Sequence, residues 1–318
     1  MEKVNNKKSW LVILSLLFVS ALFWILFLKN SMDSLWSFHS VKVNPSYILT
    51  HDLKGIIIDS KKWIEDVDKY VQKDSVKALV IQINSPGGVV GPSQELYEFL
   101  KKVRDEYKKP VVAYSGGLMA SGAYYTALGA DKIVATPGAM IGSIGVIMEF
   151  LNLEGLYDWA KVKRFSITSG QFKDSGAEYR SMRDDEKALF QSLIDDVYIQ
   201  FKNAIKESRN LSDQTLQSYA DGRVFTGQQA LDLGFIDEIG VASDAFELAA
   251  DLANVSDFEI YKIPKEKPSL LDLLPLGGSE EDSEAHGLSK VAYQLLRADL
   301  VAQPLLILPG YWGLERSY

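Results

Sequence analysis

The sequence predicts an α/β domain on a largely parallel sheet, preceded by one membrane-spanning helix. Short β-branched runs flanked by Gly, Pro or Asp recur along the chain, and amphipathic stretches of helical length separate them. Near the N-terminus lies an apolar run of nineteen residues without a charge. Strands that alternate with helices favour parallel pairing, because each helix carries the chain back to the start of the next strand.

The apolar run, Trp10 to Leu28, would form about 28 Å of helix, close to the roughly 30 Å of bilayer hydrocarbon. Lys3, Lys7 and Lys8 precede it, so residues 1–9 are expected in the cytoplasm and the bulk of the chain outside. The stretch after it lacks a small-x-small cleavage pattern, which favours an anchor over a cleaved leader. Residues 29–52 read as a linker.

A domain is expected over 53–264. Its strand candidates are 55–59, 76–84, 109–115, 131–136, 143–149 and 163–169. Helix candidates are Lys61–Val71, Ser93–Tyr107, Ala120–Leu128, Leu151–Ala160, Asp184–Arg209, Ser212–Ala220 and Gly227–Leu233, with Ser212 as an N-cap. A βαβ-like passage from Phe235 to Ile263 closes the domain. Residues 265–318 form a tail of open role: a Pro-, Gly- and acid-rich linker, one helix candidate at 288–300, and an apolar end expected to pack on its own domain or a neighbour.

Composition narrows the chemistry. A net charge of −8 argues against nucleic acid as a partner. With no cysteine, disulfides, zinc–thiolate sites and thiol nucleophiles are excluded. Histidine occurs only at positions 39, 51 and 286, so a Ser-His-Asp triad is hard to build in the core.

Four Gly/Ser-rich passages follow strand candidates. INSPGGVV (83–90) has tandem Gly87 and Gly88, which let a ligand approach the main chain; by itself it reads as an ordinary βα turn. SGGLMASGAYY (115–125) puts Ser121 at the start of a helix, where N–H groups gather and could stabilise an oxyanion; the bland alternative is a simple N-cap. TPGAMIGSIGV (136–146) carries Ser143. SGQFKDSG (169–176) carries Lys173, which by itself reads as a solvated surface lysine. Lysine serves a serine as base only when neutral, which needs desolvation or a nearby positive charge.

These passages, with DGRVFTGQQALDLGFIDEIG (221–240), resemble the signal peptide peptidase A family, and the likeness spans roughly residues 50–262. Each motif alone is weak, but five in the same order are specific. The resemblance implies a Clp protease/crotonase-like fold with repeated ββα-type units. It also implies a serine peptidase with Ser121 as nucleophile, Lys173 as general base and Ser143 orienting that lysine. The N–H groups of Gly88 and Gly122 would form the oxyanion hole, with no metal or organic cofactor.

For a single-unit member, the resemblance further implies a homo-oligomeric ring in which Ser121 and Lys173 meet across a subunit interface. Its substrates would be hydrophobic peptides such as remnant signal peptides, cut inside the bilayer or at the outer face of a bacterial inner or cell membrane. Three other readings stand beside this one. The first is a membrane Ser–Lys protease working with a stomatin-like partner, which typically has more membrane spans. The second is a crotonase-type acyl-CoA enzyme, which a bilayer anchor fits badly. The third is an inactive peptide-binding scaffold.

Overall fold

The computed structural model describes residue 20, residues 45–264 and residues 304–307. The chain divides into two compact units, Met1–Pro45 and Ser46–Tyr318, and the elements below belong to the second. In chain order they are β1 (Tyr47–Lys54), α1 (Lys61–Val71), β2 (Val76–Asn84), β3 (Gly87–Val89), α2 (Val90–Asp105), β4 (Val111–Ser115), β5 (Leu118–Ala120), α3 (Gly122–Ala127), β6 (Lys132–Ala135) and β7 (Met140–Gly142). There follow α4 (Glu154–Trp159), α5 (Asp184–Arg209), α6 (Asp213–Tyr219), β8 (Val224–Thr226), α7 (Gly227–Asp232), β9 (Glu238–Ile239), α8 (Ala242–Leu252), β10 (Glu259–Lys262) and β11 (Leu305–Ile307).

The fold is mixed α/β. Its main sheet runs β10-β1-β2-β4-β6-β9, with every neighbouring pair parallel. Helices cover both faces, and the two-residue alternation of the strands assigns side chains between them. Leu49, Leu79 and Ile81 point into the larger core with Leu96, Leu100, Tyr124 and Phe201. Their sequence neighbours Ile48, Ala78 and Val80 face the other way, onto Ala245, Phe246 and Ala249 of α8.

A smaller sheet, β5-β7-β8, stands beyond the end of β2 and joins it through a parallel bridge between Ser85 and Met119. This position is set by chemistry: the Ser85 N–H donates to the Leu118 carbonyl at 2.8 Å, and the Ala120 N–H to the Ser85 carbonyl at 3.2 Å. The chain beyond the main sheet is thereby pinned to it at the residue just before Ser121.

Several elements differ from the sequence expectation. The first strand is Tyr47–Lys54 rather than 55–59, and Ile57 keeps only a bridge to Gly88. The strands expected at 143–149 and 163–169 do not form; Ile147 makes one bridge, and residues 161–170 are exposed. Among the described residues 143–149 meets a strand only at Ile147 and 163–169 meets none, and a β-pattern is stable only against a partner. The membrane segment expected over 10–28, Ser20 aside, and the helix expected over 288–300 lie outside the described residues. Among the described residues no helix is long and apolar enough to cross a membrane.

Candidate active site

Ser121 closes β5 and precedes α3. Its φ of 53° and ψ of −118° fall outside the regions that L-residues ordinarily occupy, so the surrounding structure must hold it there. Its N–H donates to the Gly142 carbonyl at 2.6 Å, and its own carbonyl accepts from the Tyr125 N–H at 2.8 Å. Below it, every residue of α3 is buried, Tyr125 packs on Phe201 with ring centroids 4.9 Å apart, and the Tyr124 hydroxyl donates to the Phe235 carbonyl at 2.7 Å.

The simple N-cap reading of Ser121 does not hold. A capping serine gives its oxygen to an N–H of the first turn, but this side chain makes no such bond. Ser121 is completely buried, and its hydroxyl oxygen has no hydrogen-bond partner among the described residues. A buried hydroxyl without a partner costs about 1–3 kcal/mol, so stability does not account for its placement.

Ser143 follows β7 as Ser121 follows β5. The strands are parallel with Ala120 opposite Gly142, so the two serines leave adjacent strand ends side by side. Ser143 is also nearly buried, has a φ of 52°, and donates its N–H to the Arg223 carbonyl of the chain leading into β8 at 2.8 Å. Gly142, at φ 102°, makes the turn before it.

Gly88 lies in β3, folded against Ile57: the Ile57 N–H donates to Gly87 at 2.9 Å and the Val89 N–H to Ile57 at 2.7 Å. A Cβ on Gly88 would overlap the Ile57 carbonyl, so only glycine fits this close approach. The Ser85 hydroxyl accepts from the Gly87 N–H at 3.2 Å, which ties this turn to the strand end beside Ser121. Gly122, the other expected donor, is the first residue of α3, where an N–H has no partner within the helix.

The free edge of β3 carries β11, antiparallel, with Leu306 opposite Gly88. Leu305 exchanges both of its backbone hydrogen bonds with Ile147, at 2.9 and 3.0 Å. An extended segment of three residues therefore lies between β3 and Ile147, its Leu305 side chain buried among Ile56, Val89 and Ile147. Of the apolar end, residues 304–307 are described, and they pack on the domain itself.

Lys173 has very different surroundings. It occupies a turn closed by its own N–H donating to the Gly170 carbonyl at 3.1 Å, and it is exposed. Since the Ser121 hydroxyl has no partner, the structure does not join Lys173 to Ser121 within one chain. It brings together Ser121, Ser143, Gly88 and Gly122, and leaves Lys173 apart. Sequence reading missed Ser85 and Gly142, which fix the approach to both serines; the hint lay in their glycine-flanked strand ends.

Residues 104–256 match the model of peptidase family S49. A Synechocystis sp. chain named as a protease is 40% identical over 227 residues, which cover 71% of this chain and 81% of its own. One from Methanocaldococcus jannaschii, also named as a protease, is 37% identical over 204 residues, covering 64% and 65%. An Enterococcus faecium chain named as signal peptide peptidase SppA is 33% identical over 180 residues, covering 56% of this chain and 52% of its own. Among solved structures, a mutant of the 1510-N membrane-bound stomatin-specific protease aligns with a TM-score of 0.46 and 15% identity, over 70% of this chain and 99% of that one. With its motifs in order and a relative of this similarity covered over most of its length, the chain belongs to peptidase family S49, the signal peptide peptidase A family of serine peptidases.

Proposed function

We propose that the protein is a membrane-anchored endopeptidase of Clp protease/crotonase type, with Ser121 as nucleophile and Lys173 of a neighbouring subunit as general base. The observation that carries this reading is the Ser121 hydroxyl: buried, held at a strained backbone angle, and capping nothing. Lys173 accepts the hydroxyl proton as the Ser121 Oγ bonds to the scissile carbonyl carbon. The N–H groups of Gly88 and Gly122 stabilise the oxyanion, each worth about 3–4 kcal/mol. The C–N bond then breaks, and the amine leaves with the proton held by Lys173. Water, activated by the same lysine, releases the acyl group from Ser121. Ser143 orients the lysine.

Three features support the rest of the reading. The place between β3 and Ile147 accepts an extended chain with an apolar side chain, which suits hydrophobic peptides such as remnant signal peptides. Leu156, Trp159, Phe165 and Ile167 are exposed on the segment leading to Lys173, an apolar surface that a second copy in a ring would cover. The run Trp10–Leu28 supplies an anchor that holds the ring at the outer face of the cell membrane.

The test is labelling of the solubilised full chain by a fluorophosphonate, in wild type, Ser121→Ala and Lys173→Ala. Labelling is expected in the wild type alone, and equal labelling of all three would sink the dyad. Mixing the two single variants should restore peptide hydrolysis; no recovery would refute the shared site.

A further inference from the structure

We infer that Glu186 is a positioning residue for Lys173, acting through Arg180 and Arg183. The inference rests on the proposed role of Lys173 and adds what holds that lysine in place.

From residue 145 to residue 185 no residue is buried. The first buried one after Ile144 is Glu186, at 0% exposure. Phe150 packs on Phe190 of α5 with ring centroids 4.5 Å apart, but the turn that carries Lys173 is held chiefly by charge. Arg180 grips the Glu186 carboxylate with both arms of its guanidinium, Nη1 to Oε2 at 2.9 Å and Nη2 to Oε1 at 2.5 Å. Arg183 reaches the same carboxylate twice, by Nη1 at 3.0 Å and by its own N–H at 2.9 Å.

The remaining donors of the two arginines close on either side of Lys173. Arg180 Nη2 donates to the Asp174 carbonyl at 3.1 Å and its Nε to the Asp174 carboxylate at 3.3 Å. Arg183 Nη2 donates to the Gln171 carbonyl at 2.8 Å. One buried carboxylate therefore aligns two guanidinium groups, and each holds a main-chain carbonyl flanking the base. Asp185 completes the cluster, pairing with Arg183 Nε at 3.0 Å and accepting from the Glu186 N–H at 3.0 Å.

Neutralising Glu186 removes the charge that Arg180 and Arg183 share, and the turn they hold loses its register. A base displaced by about 1 Å loses rate without losing substrate affinity, since the peptide binds elsewhere. For Glu186→Gln we expect kcat to fall 10- to 100-fold with KM within about twofold. Fluorophosphonate labelling should slow by the same factor, and the acid limb of the kcat/KM profile should move.

Glu186 also stands in the first turn of α5, so a role confined to capping that helix has to be separated. In mixed oligomers, Glu186→Gln is placed either on the Ser121→Ala chain, which donates the lysine, or on the Lys173→Ala chain, which donates the serine. Loss of recovered activity only in the first arrangement is the expected result. Equal loss in both, or a lowered melting temperature with an unchanged pH profile and kcat, would overturn it. Should Glu186→Gln fail to fold, Arg180→Gln in the same two arrangements carries the test. If Lys173→Ala itself labels like wild type, the reading of the base fails. If Lys173→Ala is silent while Glu186→Gln matches wild type in kcat and pH profile, only the positioning role falls.

Discussion

The surroundings of Ser121 and of Lys173 differ in almost every physical respect. Ser121 stands on a strand end pinned to the main sheet, above a helix whose residues are all buried. Lys173 stands on an exposed turn in a stretch where the first buried side chain is a carboxylate. The first is ordered by apolar packing and backbone hydrogen bonds, the second by guanidinium–carboxylate contacts. Packing of the first kind is indifferent to salt and pH across the physiological range, whereas ionic order responds to both. On the proposed roles, the nucleophile is fixed from folding onward, while the placement of the base can be altered on its own.

The largest separation between the two regions is expected from Gly88→Ala. Its methyl group would collide with the Ile57 carbonyl and tilt the proposed oxyanion donor. Peptide hydrolysis should drop by about 10²–10³-fold, as for loss of one such donor, while the ion pairs around Glu186 persist. Unchanged kcat would remove Gly88 from the site. Next comes Phe201→Ala, a fully buried ring against Tyr124 and Tyr125. Denaturant titration should show a loss of about 3–5 kcal/mol.

Acid should act on the other region. The hydrogen bonds from Arg180 hold the Glu186 carboxyl at about 2, against the desolvation that would raise it and with help from the Arg183 N–H. A lowered carboxyl stabilises the fold at pH values above its unfolded value near 4.5, and that contribution is lost as pH falls toward about 2. Between those values, hydrogen exchange is expected to quicken in 170–183 before it does in 118–128; the reverse order would contradict the ionic account. The smallest effect belongs to Trp159→Ser, at 80% exposure. Stability should change by less than about 0.5 kcal/mol. Loss of oligomer on size exclusion would then mark this surface as the ring contact.

How far the sequence disclosed these two regions follows from what each is made of. The strands at 76–84, 111–115 and 132–135 were legible because continuous β-branched runs are required where both faces are covered. The helix Asp184–Arg209 was legible from its acidic opening, and the structure shows a left-handed Asn210 stopping it. The first strand was missed because His51, Asp52 and Lys54 dilute its pattern, while the neighbouring GIIID looks more apolar. Of the candidate site, the motifs gave the residues but not the positive φ at Ser121 and Ser143, which packing imposes on residues that would otherwise avoid it. The arginine–glutamate cluster has no sequence signature beyond charge, since a surface and a buried carboxylate read alike.

The position of β1 has a further bearing, on how the chain reaches this state. β1 lies between β2 and β10, with Tyr47 opposite Val76 on one side and Glu259 on the other. Its second edge therefore waits for a strand made more than two hundred residues later. At roughly 5–20 residues per second, a ribosome takes on the order of 10–40 s to deliver it. Through that interval Ile48 and Leu49 belong to a strand with one open edge, the form most prone to mispairing between nascent chains.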